Sequence, residues 1–93
     1  LGRYDEAVGH MEKAVEKMPI DPIVNDHLGD VYWAVGRYRE AEFQWHRALS
    51  FITEDTDLND IDPDRIRRKL EVGLYEVLEE EGAEPLRVVN DDG

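Results

Sequence analysis

Gly36-Arg37-Tyr38-Arg39-Glu40-Ala41 repeats Gly2-Arg3-Tyr4-Asp5-Glu6-Ala7 at an offset of 34 residues. The same offset carries Lys13 onto Arg47, Ala14 onto Ala48, Val15 onto Leu49 and Met18 onto Ile52. A register that holds over a helix length of chain marks a repeated structural unit, and periods of about 20–50 residues belong to stacked repeats.

Hydrophobic spacing agrees with the repeat. Ala7, Met11, Ala14, Val15 and Met18 fall at i, i+4, i+7, i+8 and i+11, and so do Val24, Leu28, Val31, Tyr32 and Val35. Ala41, Trp45, Ala48, Leu49 and Ile52 form a third such set, and Ile66, Leu70, Gly73, Leu74 and Val77 a fourth. Each set draws one apolar stripe along a helix with charged residues opposite. The spacing predicts helices at about 4–18, 22–35, 38–52 and 63–81. Pro19 and Pro22 bracket the first turn, because proline inside a helix removes a hydrogen bond and clashes with the preceding turn. Asp21-Pro22 and Asp62-Pro63 each offer a capping carboxylate followed by a proline at the first helical position. Gly36 and Gly82 suit the left-handed residue that ends a helix. The acidic stretch 53–62 has no periodicity and reads as a loop, and 82–93 reads as a flexible tail.

Composition narrows the function classes. In 93 residues, 23 Asp and Glu outweigh 11 Lys and Arg, for a net charge of −12. Such a chain repels phosphate backbones and anionic lipid, so neither nucleic acid nor a membrane surface is an expected partner. Cysteine is absent, which removes disulfides, thiolate metal sites and thiol nucleophiles, and fits cytoplasm and periplasm alike. No apolar run approaches the ~18 residues of a membrane span. Hydrophobic residues make up 41%, enough for a packed helical core.

These residues resemble the tetratricopeptide repeat, a pair of antiparallel helices in 34 residues. Leu28-Gly29, Tyr32, Gly36, Tyr38, Ala41 and Ala48 fit one full repeat, and Gly2, Tyr4, Ala7, Ala14 and Pro19 fit the second half of the repeat before it. Gly29 and the small alanines would let helices approach closely, while Tyr and Leu fill the gaps. Thr53 replaces the family's closing Pro, and Asn25 its early Trp. The resemblance covers about residues 1–52, one and a half repeats, and implies an all-α solenoid fragment whose fourth helix, 63–81, caps the open end. Because the chain opens in the turn before a second-type helix, the expectation is a piece from the C-terminal part of a longer repeat protein. The apolar side of helix 4–18 is then expected to be exposed, as a surface for a homodimer or for neighbours outside the chain.

In the family the first helix of each pair lines a concave groove that binds extended peptides. Carried over, that places Asp26, His27, Asp30 and Trp33 toward the groove, although Trp33 can equally pack against the capping helix. A groove with two aspartates prefers a basic or polar ligand. Arg65, Arg67, Arg68 and Lys69 open the fourth helix while Glu76, Glu79, Glu80 and Glu81 close it, against the helix dipole at both ends. One resolution has this basic end, Arg65 to Lys69, held by carboxylates of the loop 54–62 or by Asp26 and Asp30, closing the groove; the other is a solvated face of mixed charge.

Signals for chemistry are thin. Asp26, His27 and Asp30 have donor types that hold a divalent ion, but a solvated acidic face reads as well. Asp55-Thr56-Asp57-Leu58-Asn59-Asp60 starts like a calcium loop, yet Asp60 stands where its glycine belongs and Ile66 where its closing glutamate belongs. Ser50, the only serine, has no strained elbow or oxyanion loop around it, and no glycine-rich phosphate cradle exists. The expectation is a non-catalytic protein–protein interaction module without a cofactor or metal. A purely structural capping or dimerisation segment is the alternative, and a metal site at Asp26/His27/Asp30 the remote one.

Overall fold

A computed structural model describes residues 2–82 of the chain. Among them the order is α1 (Gly2–Lys17), α2 (Pro22–Ala34), α3 (Tyr38–Phe51), α4 (Pro63–Val72) and α5 (Leu74–Glu80), with no strand. The chain is therefore all-α over this span.

Local chemistry starts and stops the helices. The Asp21 carboxylate accepts the Val24 amide at 3.0 Å, and that of Asp62 accepts the Asp64 and Arg65 amides at 3.0 and 3.3 Å. Each satisfies donors that the first helical turn leaves without a partner. Asn25, fully buried, donates from Nδ2 to the carbonyls of Pro19 and Asp21 and so ties the α1–α2 turn to the helix it precedes. At the end of α2, Gly36 adopts φ 86°. Its amide donates to Trp33 O at 3.0 Å and the Arg37 amide to Tyr32 O at 2.8 Å, a Schellman closure that requires a left-handed residue at this position.

That tight turn lays α2 and α3 side by side, the most extensive helix pair among the described residues. A Cβ on Gly29 would sit 2.5 Å from the Trp45 indole and 3.1 Å from the Ala41 carbonyl, so only glycine allows the crossing. Ala41, Trp45 and Ala48 are completely buried there, and Leu28, Tyr32, Ile61, Ile66 and Leu74 complete the core around them. Tyr32 also donates its hydroxyl to Glu12 at 2.7 Å, which couples α2 to α1. Tyr4 and Tyr38, expected to fill gaps between helices, are instead about half exposed at 54% and 51%, since each sits at the first turn of its helix; Tyr38 leans on Trp33, ring centroids 4.3 Å apart.

The expected single helix over 63–81 is two helices. Gly73, at φ 90°, ends α4 through its amide bond to Lys69 O and starts α5 through its carbonyl. A Cβ there would collide with the six-membered ring of Trp33. Along one continuous helix Arg68 and Glu80 would lie about 18 Å apart. They meet at 2.6 Å, as do Arg65 and Glu81, so α5 doubles back along α4. Residues 83–93 of the expected tail lie outside the described span.

Candidate interaction site

Lys69 occupies a position on the core face of α4, three residues after Ile66, and is fully buried. Its ammonium reaches Asp26 Oδ1 at 2.6 Å and Asp30 Oδ1 at 2.8 Å, both on α2, and stands 5.3 Å from the Trp45 ring centroid. Trp45 Nε1 donates to the same Asp30 oxygen at 3.0 Å. One ammonium, two carboxylates and an indole N–H thus satisfy each other inside the α2–α3–α4 junction. A buried ion pair holds only when its remaining donors and acceptors are met in this way. Burial pushes the Asp26 carboxyl above its ordinary range, against the pull of Lys69.

Next to this junction, α2, the loop before α4 and the first turn of α4 enclose a pocket of about 260 Å³. Ile23, Leu58, Ile61 and Ile66 give it apolar walls, and Asp26, His27, Asn59, Asp60, Asp62 and Arg65 give it a polar lining. Three of those six polar groups are already committed. Asp26 is bound to Lys69, Asp62 caps α4, and Arg65 is held by Glu81 at 2.6 Å. The exposed side chains of His27 and Asp60 make no hydrogen bond within the described residues and remain available to a ligand. With Arg65 paired to Glu81 and Asp26 to Lys69, the remaining negative charge at the pocket is that of Asp60 and of the capping Asp62.

The five groove residues expected from the sequence do not act together. Asp26 and His27 line the pocket. Asp30 is drawn inward to Lys69 and Trp45. Trp33 takes the second of its two readings and packs at the α4–α5 break: its ring covers Gly73 and stacks 5.5 Å from Trp45. Arg68 lies outside the site altogether, bound to Glu80 and Glu71; the basic residue that reaches Asp26 and Asp30 is Lys69. Lys69 also stands between the two carboxylates that a metal ion at Asp26, His27 and Asp30 would need, and among the described residues no three His, Asp or Glu side chains gather in a metal-holding group.

Lys69 is one of the four basic residues expected to meet Asp26 and Asp30, and it does so; Ile66 was expected in the core, Arg65 and Asp60 were named without a pocket role, and Ile23 and Ile61 escaped the sequence reading. Lys69 had a usable signal, because a lysine at i+3 from a stripe residue points into the core and demands a carboxylate there. The pocket loop had none, since its lining depends on how 58–62 folds back over α2. No helix of the described residues is long and apolar enough to cross a membrane. No protein-family model, curated protein or solved structure matches the chain.

Proposed function

We propose that the chain is a non-catalytic protein-interaction module of tetratricopeptide type, which receives a basic side chain of a partner peptide in the α2–α4 pocket. The pocket carries this reading: a half-open hollow, more polar than apolar, whose unpaired carboxylate is Asp60, beside Asp62. Its 260 Å³ falls below the roughly 300–1,000 Å³ of drug-sized sites and is enough for one long side chain. The 34-residue register and the Gly29–Trp45 crossing support the repeat assignment. The test is a set of peptide pools, each fixing one residue type, titrated into labelled protein. Arg and Lys pools are expected to shift the resonances of His27, Asp60 and Ile61; equal response to all pools, or none at millimolar peptide, contradicts the reading.

A second reading, that α1 packs against another helix, has its own support. Ala41 and Ala48 are completely buried, whereas their counterparts Ala7 and Ala14 are only half-buried and Met18 is 49% exposed. A second copy of the chain would cover this face. Light scattering across a concentration series tests it: a dimer that Ala14→Glu dissolves supports it, and a monomer at every concentration rejects it.

A further inference from the structure

The outward face of α3 carries a feature that the pocket does not use. Arg39, Phe43, His46, Arg47 and Ser50 lie opposite Ala41, Trp45 and Ala48, which face the core. The carboxylates of α3, Glu40 and Glu42, stand at the two borders of this arc, and Glu40 is held by Arg37. Phe43 is 58% exposed. Arg47 lies between two phenyl rings, its guanidinium carbon 5.7 Å from the Phe43 centroid and 5.1 Å from that of Phe51. Both distances are within the ~6 Å reach of a cation–π contact, which uses none of the guanidinium's hydrogen-bond donors. Arg37, Arg65, Arg67, Arg68 and Lys69 each have a carboxylate partner. Arg39 and Arg47 have none among the described residues.

We propose that this face docks an acidic segment of a partner protein, with a carboxylate accepting two hydrogen bonds from the Arg47 guanidinium and an apolar side chain covering Phe43. The two rings fix the guanidinium before a ligand arrives, which lowers the ordering cost of a bidentate contact. Charge complementarity selects an acidic occupant, since Arg39 extends the same row one helical turn from Phe43. The net charge of −12 does not prevent this. Beyond about 8 Å at physiological salt its repulsion is screened, and the short-range pair decides. The surface is separate from the α2–α4 pocket and prefers the opposite ligand charge.

Selection of displayed random 12-residue peptides on the whole chain tests the proposal. Enriched peptides are expected to join Asp or Glu to Phe, Leu or Trp. They should lose at least tenfold in affinity on Arg47→Glu and on Phe43→Ser, lose part of it on Arg47→Lys, and be indifferent to Asp60→Lys in the pocket. All of these substitutions lie at or near the surface, and unchanged melting curves verify the fold; if one variant unfolds, the others carry the comparison. Enrichment of only basic or neutral peptides, no enrichment, or acidic binders that tolerate both Arg47→Glu and Phe43→Ser overturns it.

Discussion

The Lys69 ammonium lies 2.6 Å from the Asp26 carboxylate, a contact that joins residues 43 positions apart and fixes α4 against α2. Both head groups are withdrawn from water, so the pair acts less as a source of net stability than as a constraint on register: α4 docks only where its lysine finds both aspartates. The pocket between α2 and α4 exists because this docking is specified.

Removing one partner of that pair should cost more than removing two. Lys69→Met leaves Asp26 buried without a cation and is expected to lose on the order of 3–5 kcal/mol. The double variant Lys69→Met/Asp26→Leu should recover part of that loss. Urea unfolding of the singles and the double provides the cycle; strictly additive losses would show that the two groups do not interact.

Gly73→Ala is expected to destabilise through two separate effects. A positive φ costs a non-glycine residue about 1–2 kcal/mol, and the new Cβ meets the Trp33 ring. In a Trp33→Leu background the second effect shrinks. Thermal melts of Gly73→Ala in both backgrounds check this, and equal losses would contradict the Trp33 contact.

Acid should loosen the α4–α5 hairpin. The Arg68 guanidinium holds the Glu80 carboxyl below its ordinary range. A depressed carboxyl contributes stability above the unfolded value of 4.5 and loses it as the pH falls through the folded value. Asp26, raised by burial, works in the other direction and gains as protons return. Comparison with Arg68→Gln isolates the Glu80 contribution: as the pH falls below 4.5 the wild type should lose more stability than the variant does. Arg68→Glu, which turns attraction to Glu80 and Glu71 into repulsion, should lower the melting temperature at neutral pH.

Alkali acts at the α1–α2 contact. Burial, followed by the bond to Glu12, pushes the Tyr32 hydroxyl up to about 12. Because the folded value lies above the unfolded 10, the stabilisation is complete below 10 and lost as the pH rises toward 12. An ultraviolet titration should show a tyrosinate phase near 12 that Tyr32→Phe removes.

The all-helical character was legible because apolar stripes at helical spacing are local information, and so were the Asp21 and Asp62 caps and the Gly36 stop. The break at Gly73 was not. Leu70, Leu74 and Val77 continue one stripe straight through it, and the residue that demands a glycine there is Trp33, 40 positions earlier. The same limit misplaced Arg68: the basic end of the fourth helix was expected to meet Asp26 and Asp30, but which of its four cations does so was not legible. A charge on a helix states its own face, but its partner is chosen by how the helices dock. Here the doubling back of α5 captured the arginines and left the lysine for α2.

Reversing one exposed charge tests the account most directly. Asp60 supplies the uncommitted carboxylate of the pocket and its side chain supports no other element, so Asp60→Lys should melt like the wild type. In a titration with an arginine-containing peptide followed residue by residue, the wild type should shift at His27, Leu58 and Ile61, and Asp60→Lys should abolish those shifts. Undiminished shifts in the variant, or shifts confined to α1, would contradict the assignment of this pocket as the binding site.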